Sequence, residues 1–75
     1  PGPGAGQSGL IDPLSARELE VLALVAAGRT NRLIADDLFI AVDTVKRHLT
    51  HILAKLGASN RTQAAARARR LGLVD

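Results

Sequence analysis

The sequence has no cysteine, methionine, tryptophan or tyrosine, and Phe39 is its one aromatic residue. Without cysteine there is no disulfide framework and no cysteine-ligated zinc or iron–sulfur centre. A lone phenylalanine cannot build the row of rings on which single-stranded bases stack, so Phe39 is expected to cover a turn. The longest apolar run, Val21 to Ala27, is seven residues, against the roughly 20 that span a bilayer as a helix. No membrane role is expected. No secretory leader pattern is visible, and the lack of cysteine is compatible with a cytoplasmic protein. The chain opens on Pro1 rather than Met, which reads as an excised fragment of a longer protein.

Catalytic signatures are also missing. No nucleophile sits with a base in a recognisable pattern, and no glycine-rich loop precedes a helix to cradle phosphate. His48 and His51 are three apart, a spacing that suits a metal, yet no third well-placed ligand accompanies them. The expectation is no enzyme, no metal and no cofactor.

What is present is charge, and it is polarised. Residues 1–43 hold Arg17, Arg29 and Arg32 against Asp12, Glu18, Glu20, Asp36, Asp37 and Asp43. Residues 44–75 hold Lys46, Arg47, Lys55, Arg61, Arg67, Arg69 and Arg70 against Asp75 alone. A basic half on a chain of net charge +3 and pI near 10.7 points to an anionic partner. The plainer reading of Arg67, Arg69 and Arg70 is a solvated face.

Residues 1–9 are glycine, proline and small polar residues. They cannot bury enough apolar surface to offset the entropy of ordering. A flexible tail is therefore placed at 1–12 and one folded domain at 13–75. Alanine and leucine dominate that domain without alternating periodicity, which predicts an all-α fold. Four helices follow from their punctuation. The first begins at Ser15, where Ser15-Ala16-Arg17-Glu18 forms a capping box flanked by a Leu14/Leu19 staple. Its apolar face is Leu19, Val21, Leu22, Val25 and Ala26, and Gly28 ends it. The second runs from Thr30 to about Leu38, with Ile34, Ala35 and Leu38 facing inward. After a tight turn, the third covers about Val42 to Leu56. Val45, Leu49, Ile52 and Leu56 recur at intervals of 4, 3 and 4, one face of a helix. Asp43, Lys46, Arg47, Thr50, His51 and Ala54 share the opposite face. The fourth starts at the Asn60 cap, with a stripe of Ala64, Ala65, Ala68 and Leu71, and closes before Gly72.

Two short helices joined by a tight turn, the second one longer and basic outside, describe a helix-turn-helix. A helix fits the DNA major groove, and the N-terminal half of such a helix meets base edges. Arg47 is suited to a guanine, Lys46 to a guanine or a phosphate, and Thr50 to a thymine methyl or a phosphate. Thr30 and Asn31, at the start of the second helix, make a natural phosphate clamp.

Leu-Ser-Ala-Arg-Glu-Leu-Glu-Val-Leu at 14–22, Ala-x-Gly at 26–28 and Thr-Asn-Arg-x-Ile-Ala at 30–35 carry a resemblance. So do Thr-Val-Lys-x-His at 44–48, Ile-x-x-Lys-Leu-Gly at 52–57 and Asn-Arg-Thr-Gln-Ala at 60–64. Together these segments resemble the LuxR-type (NarL/FixJ-like) DNA-binding domain of bacterial transcription regulators. The run from Leu38 to Gly57 is most similar to the subset attached to large MalT-like ATP-binding regulators. The resemblance implies a four-helix domain acting as the C-terminal effector of a regulator, bound to double-stranded DNA as a homodimer paired through the fourth helix. It implies base contacts from Lys46, Arg47, Thr50 and Asp43, and phosphate contacts from Thr30, Asn31, Thr44, His48, Lys55 and Arg61. Thr62, Ala66 and Arg69 fall on the pairing face, where Arg69 would meet its own symmetry mate. Leu33 stands where the family usually has Glu, leaving an apolar side chain partly exposed, and Ala41 replaces the usual Ser cap. A rival reading uses the same helices mainly as a protein-interaction module, against RNA polymerase or a partner regulator.

Overall fold

The computed structural model describes residues 13–75, and the tail expected at 1–12 lies outside the described residues. The described chain is all α: α1 (Ala16–Ala26), α2 (Asn31–Leu38), α3 (Val42–Leu56) and α4 (Arg61–Arg70). The caps explain these limits. Ser15 Oγ accepts from Glu18 N at 3.1 Å, and Ser15 N donates to Glu18 Oε1 at 2.9 Å. This closes the reciprocal box that satisfies two otherwise orphaned donors. Thr30 Oγ1 accepts from Leu33 N, and Asn60 Oδ1 accepts from Gln63 N. Gln63 turns its own side chain to Ser59 N, 2.8 Å away. Ala41 has the extended backbone of a cap but no side-chain acceptor.

α3 is the axis of the fold. It packs against α1, α2 and α4, and α1 packs against α4, whereas the backbones of α2 and α4 stay apart and the two helices meet through side chains. Val21, Leu22, Ile34, Val45, Ile52, Ala64 and Ala68 are wholly inaccessible and form the centre of one core. The alanines of α4 let its backbone approach α1 and α3 closely. Removing a large member such as Leu22 or Ile52 is expected to cost about 2–5 kcal/mol.

Two expectations about apolar residues change. Leu71 leaves the α4 stripe and is 39% exposed, because it follows the last turn of that helix. Phe39 covers nothing: it is 94% exposed. Its backbone is left-handed, with φ 58° and ψ 44°, which turns the chain out of α2 and sends Ile40, not Phe39, against the core. Leu33 is exposed as expected, at 41%.

Candidate nucleic-acid interface

The folded chain sorts its cations into two groups. Four basic side chains of the C-terminal half are tied to the fold. Lys55 Nζ lies 2.7 Å from Glu18 Oε1 and donates to Pro13 O at 3.3 Å. Arg61 donates to Asn31 Oδ1 at 2.7 Å and to Arg29 O at 2.8 Å. Arg67 donates to Leu56 O at the end of α3, and Arg69 to Ala26 O at the end of α1, at 2.8 and 2.6 Å. Carbonyls at helix C-termini lack intrahelical donors and sit at the negative end of the dipole. The guanidinium groups of α4 fill that role for both neighbouring helices. Arg29 makes a forked pair with Asp37 at 2.9–3.1 Å; exposed as it is, that pair adds little stability.

Arg32, Lys46, Arg47 and Arg70 are the described Lys and Arg side chains that have neither a hydrogen bond nor an ion pair. Two of the four, Lys46 and Arg47, lie side by side on α3. Asp43, Lys46, Arg47, Thr50, His51 and Ala54 are all exposed, while Val45, Leu49, Ile52 and Leu56 of the same helix are buried. The expected outward row is therefore one continuous face. Thr44 and His48 stand half-buried at its edge. Thr50 Oγ1 donates to Lys46 O at 3.1 Å. With its proton used in that bond, Thr50 offers outward its methyl group and oxygen lone pairs.

At the start of α2, the acceptor atoms are held and the donors are left over. Thr30 Oγ1 already accepts from Leu33 N, so its O–H proton remains to be given. Asn31 Oδ1 faces Arg61, which can only donate, and this fixes the amide orientation and leaves its NH2 group to donate. A phosphate oxygen is the complement of both. Thr30, Asn31 and Arg61 line an open groove of about 750 Å³ together with Thr62, Ala66 and Arg69. Three of the residues expected to touch phosphate, Thr30, Asn31 and Arg61, thus meet those expected to pair protomers in one groove, which Val25 and Ala65 also line; Thr44, His48 and Lys55 lie outside it. Sequence reasoning did not foresee this meeting, since the two sets are thirty residues apart in the chain. It also missed that Arg67 and Arg69 bond helix ends. Basic residues in an alanine-rich helix carry no local signal of which neighbour they reach.

Among the described residues no cluster of His, Asp and Glu is placed to hold a metal ion. No described helix is long and apolar enough to cross a membrane.

Comparison with known proteins gives a consistent answer. Residues 12–68 match the bacterial regulatory proteins of the luxR family. The chain is 53% identical over 64 residues to the transcriptional regulatory protein LiaR of Bacillus subtilis, covering 85% of this chain and 30% of that protein. It is 51% identical over 61 residues to the HTH-type transcriptional activator RamA of Corynebacterium glutamicum, covering 81% and 22%. The chain thus spans less than a third of these relatives' length. Among solved structures, it superposes on the transcription factor GerE with a TM-score of 0.78 at 34% identity, covering 83% of this chain and 92% of that one. It superposes on the response regulator ChrA of a heme-sensing two-component system with a TM-score of 0.80 at 50% identity, covering 83% and 31%.

Proposed function

We infer that this chain, which belongs to the luxR family of bacterial regulatory proteins, binds duplex DNA sequence-specifically as the effector domain of a transcription regulator, with α3 in the major groove. The observation that carries the reading is the exposed row on α3, where Lys46 and Arg47 stand without internal partners. Arg47 supplies the planar fork that matches guanine O6 and N7. Lys46 reaches a guanine or a phosphate. Thr50, its proton committed to Lys46 O, suits a thymine methyl better than a phosphate. Asp43 accepts from a cytosine amino group. Thr30 and Asn31 clamp a phosphate with their remaining donors, and Thr44 and His48 flank the same backbone. Lys55 and Arg61 act in this reading mainly from within, by holding α3 against α1 and Asn31 in its amide orientation.

The domain works on DNA as a homodimer, with Thr62 and Ala66 exposed on α4 as the pairing surface. Arg69 is drawn back onto Ala26 O and Asp75 O, which relieves the repulsion it would meet across a two-fold axis. Such a dimer reads two half-sites about one helical turn apart.

Leu33, an apolar side chain left 41% exposed on α2, favours a second reading in which α2 docks on a protein such as RNA polymerase. Salt separates the two. A protein that neutralises several phosphates loses affinity steeply with salt, with a log–log slope of roughly −0.9 per phosphate. Fluorescence anisotropy of a labelled random duplex across a salt series, with Lys46→Ala and Arg47→Ala alongside, is the test. A steep slope and weaker binding by both variants are expected. No binding at low salt by a folded, covalently linked dimer would overturn the DNA reading.

A further inference from the structure

Phe39 is the feature of this fold least explained by folding. Its side chain is 94% exposed, and it is the one non-glycine residue at positive φ among the described residues. The other helix ends with left-handed backbone use glycine, at Gly28, Gly57 and Gly72, where no Cβ opposes the conformation. The turn does not require the ring. Ile40 N donates to Ala35 O at 3.0 Å, and Ile40 packs on the core, so the turn is held from the residue after Phe39. A side chain in the left-handed region works against stability, and a ring left in water offsets none of that cost. Nothing among the described residues accounts for the ring at this position.

Its place in the fold identifies the partner. α3 begins three residues later at Val42, and the exposed face of its first turns carries Asp43, Lys46, Arg47 and Thr50. The partnerless cations on that face call for an anionic surface, and the one apolar group that a duplex displays at base edges in its major groove is the thymine 5-methyl. We propose that Phe39 is a specificity-determining residue: its ring packs on a thymine methyl at the flank of the half-site that α3 reads. This deepens the DNA-binding reading and rests on it.

The test uses a duplex selected by this chain from a random-sequence pool, with each thymine replaced in turn by uracil, which differs only by the methyl. The chain as it stands is expected to lose affinity at one flanking position by about fourfold, the equivalent of one buried methyl. Phe39→Gly is expected to bind thymine and uracil equally there. It should also melt at the same or a higher temperature, since glycine suits the turn. Phe39→Leu should keep part of the discrimination. Sequence-specific binding with no thymine–uracil difference, or with a difference that survives Phe39→Gly, overturns the assignment and leaves DNA binding standing. A pool that yields no preferred sequence sinks both. Unchanged DNA binding by Phe39→Gly would direct the ring to a protein surface instead.

Discussion

Lys55 Nζ and Glu18 Oε1 are 2.7 Å apart, and this pair ties the middle of the fold to its first helix cap. Glu18 is the one buried charged residue among those described, at 5% exposure. It completes the Ser15 capping box with the same oxygen that meets Lys55. Breaking a buried pair leaves one charge unpaired, at about 3–5 kcal/mol. The Lys55 side chain keeps 20% of its surface in water, so Lys55→Met is expected to cost about 2–3 kcal/mol by denaturant titration. Its salt slope on random DNA should match that of the unsubstituted chain. A shallower slope would place the ammonium on a phosphate.

Acid should dissolve the same pair. Burial pushes the Glu18 carboxyl up, but the Lys55 hydrogen bond and charge and the Ser15 bonds outweigh it, so its pKa lies below the ordinary 4.5. A carboxylate held below its unfolded value contributes stability that is present above that value. The contribution is lost as pH falls through the folded pKa. Glu18→Gln should therefore melt well below the unsubstituted chain at pH 7. The gap should narrow only as pH drops below about 4.5. A gap constant from pH 7 to pH 3 would show that packing, not ionisation, makes Glu18 necessary.

Much of this architecture was legible in the chain because its signals are local. Ser15 with Glu18, Thr30, and Asn60 mark three helix starts through bonds that span three residues. The spacing of Val45, Leu49, Ile52 and Leu56 sets which face of α3 turns outward, and hence the exposure of Lys46 and Arg47. What the chain concealed is long-range. Arg69 reaches Ala26 O across 43 residues and Arg61 reaches Asn31 across 30. An arginine stem has several rotatable bonds, so sequence position does not determine where its head comes to rest. Phe39 escaped for a different reason. The left-handed turn that faces it outward is ordinarily signalled by glycine, and glycine is absent there.

Arg47 is the sharpest test of base reading. Arg47→Ala is expected to lose about 1–3 kcal/mol on a selected site and to relax the preference at one base pair. Its effect on random duplex should be smaller and mostly a change in salt slope. Competition titrations with every single-base variant of the site measure this directly. Equal losses on selected and random DNA would make Arg47 a phosphate contact.

Ala41 is an unfilled cap. Its backbone is extended (φ −72°, ψ 152°), yet its side chain offers no acceptor to the first turn of α3. Ala41→Ser should add ~1 kcal/mol to stability without repacking the core, read as a higher Tm. Because the cap adjoins the end of α3 proposed to enter the groove, the affinity for a selected duplex should hold or rise slightly. A lower Tm would mean that the serine hydroxyl fails to reach the backbone N–H groups it is meant to satisfy.

Asn31 separates stability from binding most cleanly. Its Oδ1 accepts from Arg61 at 2.7 Å, and it is the first residue of α2. Asn31→Asp keeps an oxygen opposite Arg61 and turns a hydrogen bond between a cation and a neutral amide into an ion pair. It also sets a negative charge at the positive end of the helix dipole, a change worth about 0.3–1 kcal/mol. Folding should therefore improve modestly. On DNA the same substitution removes the two amide donors left for phosphate and brings a carboxylate against it. Affinity for random duplex is expected to fall by about tenfold or more at low salt, with the salt slope reduced by about one phosphate equivalent. The pair of measurements, Tm and salt-dependent affinity, should move in opposite directions. If both fall together, the groove beside Arg61 holds the helix in place and does not grip the duplex. If affinity is untouched, the phosphate contacts lie elsewhere on the domain.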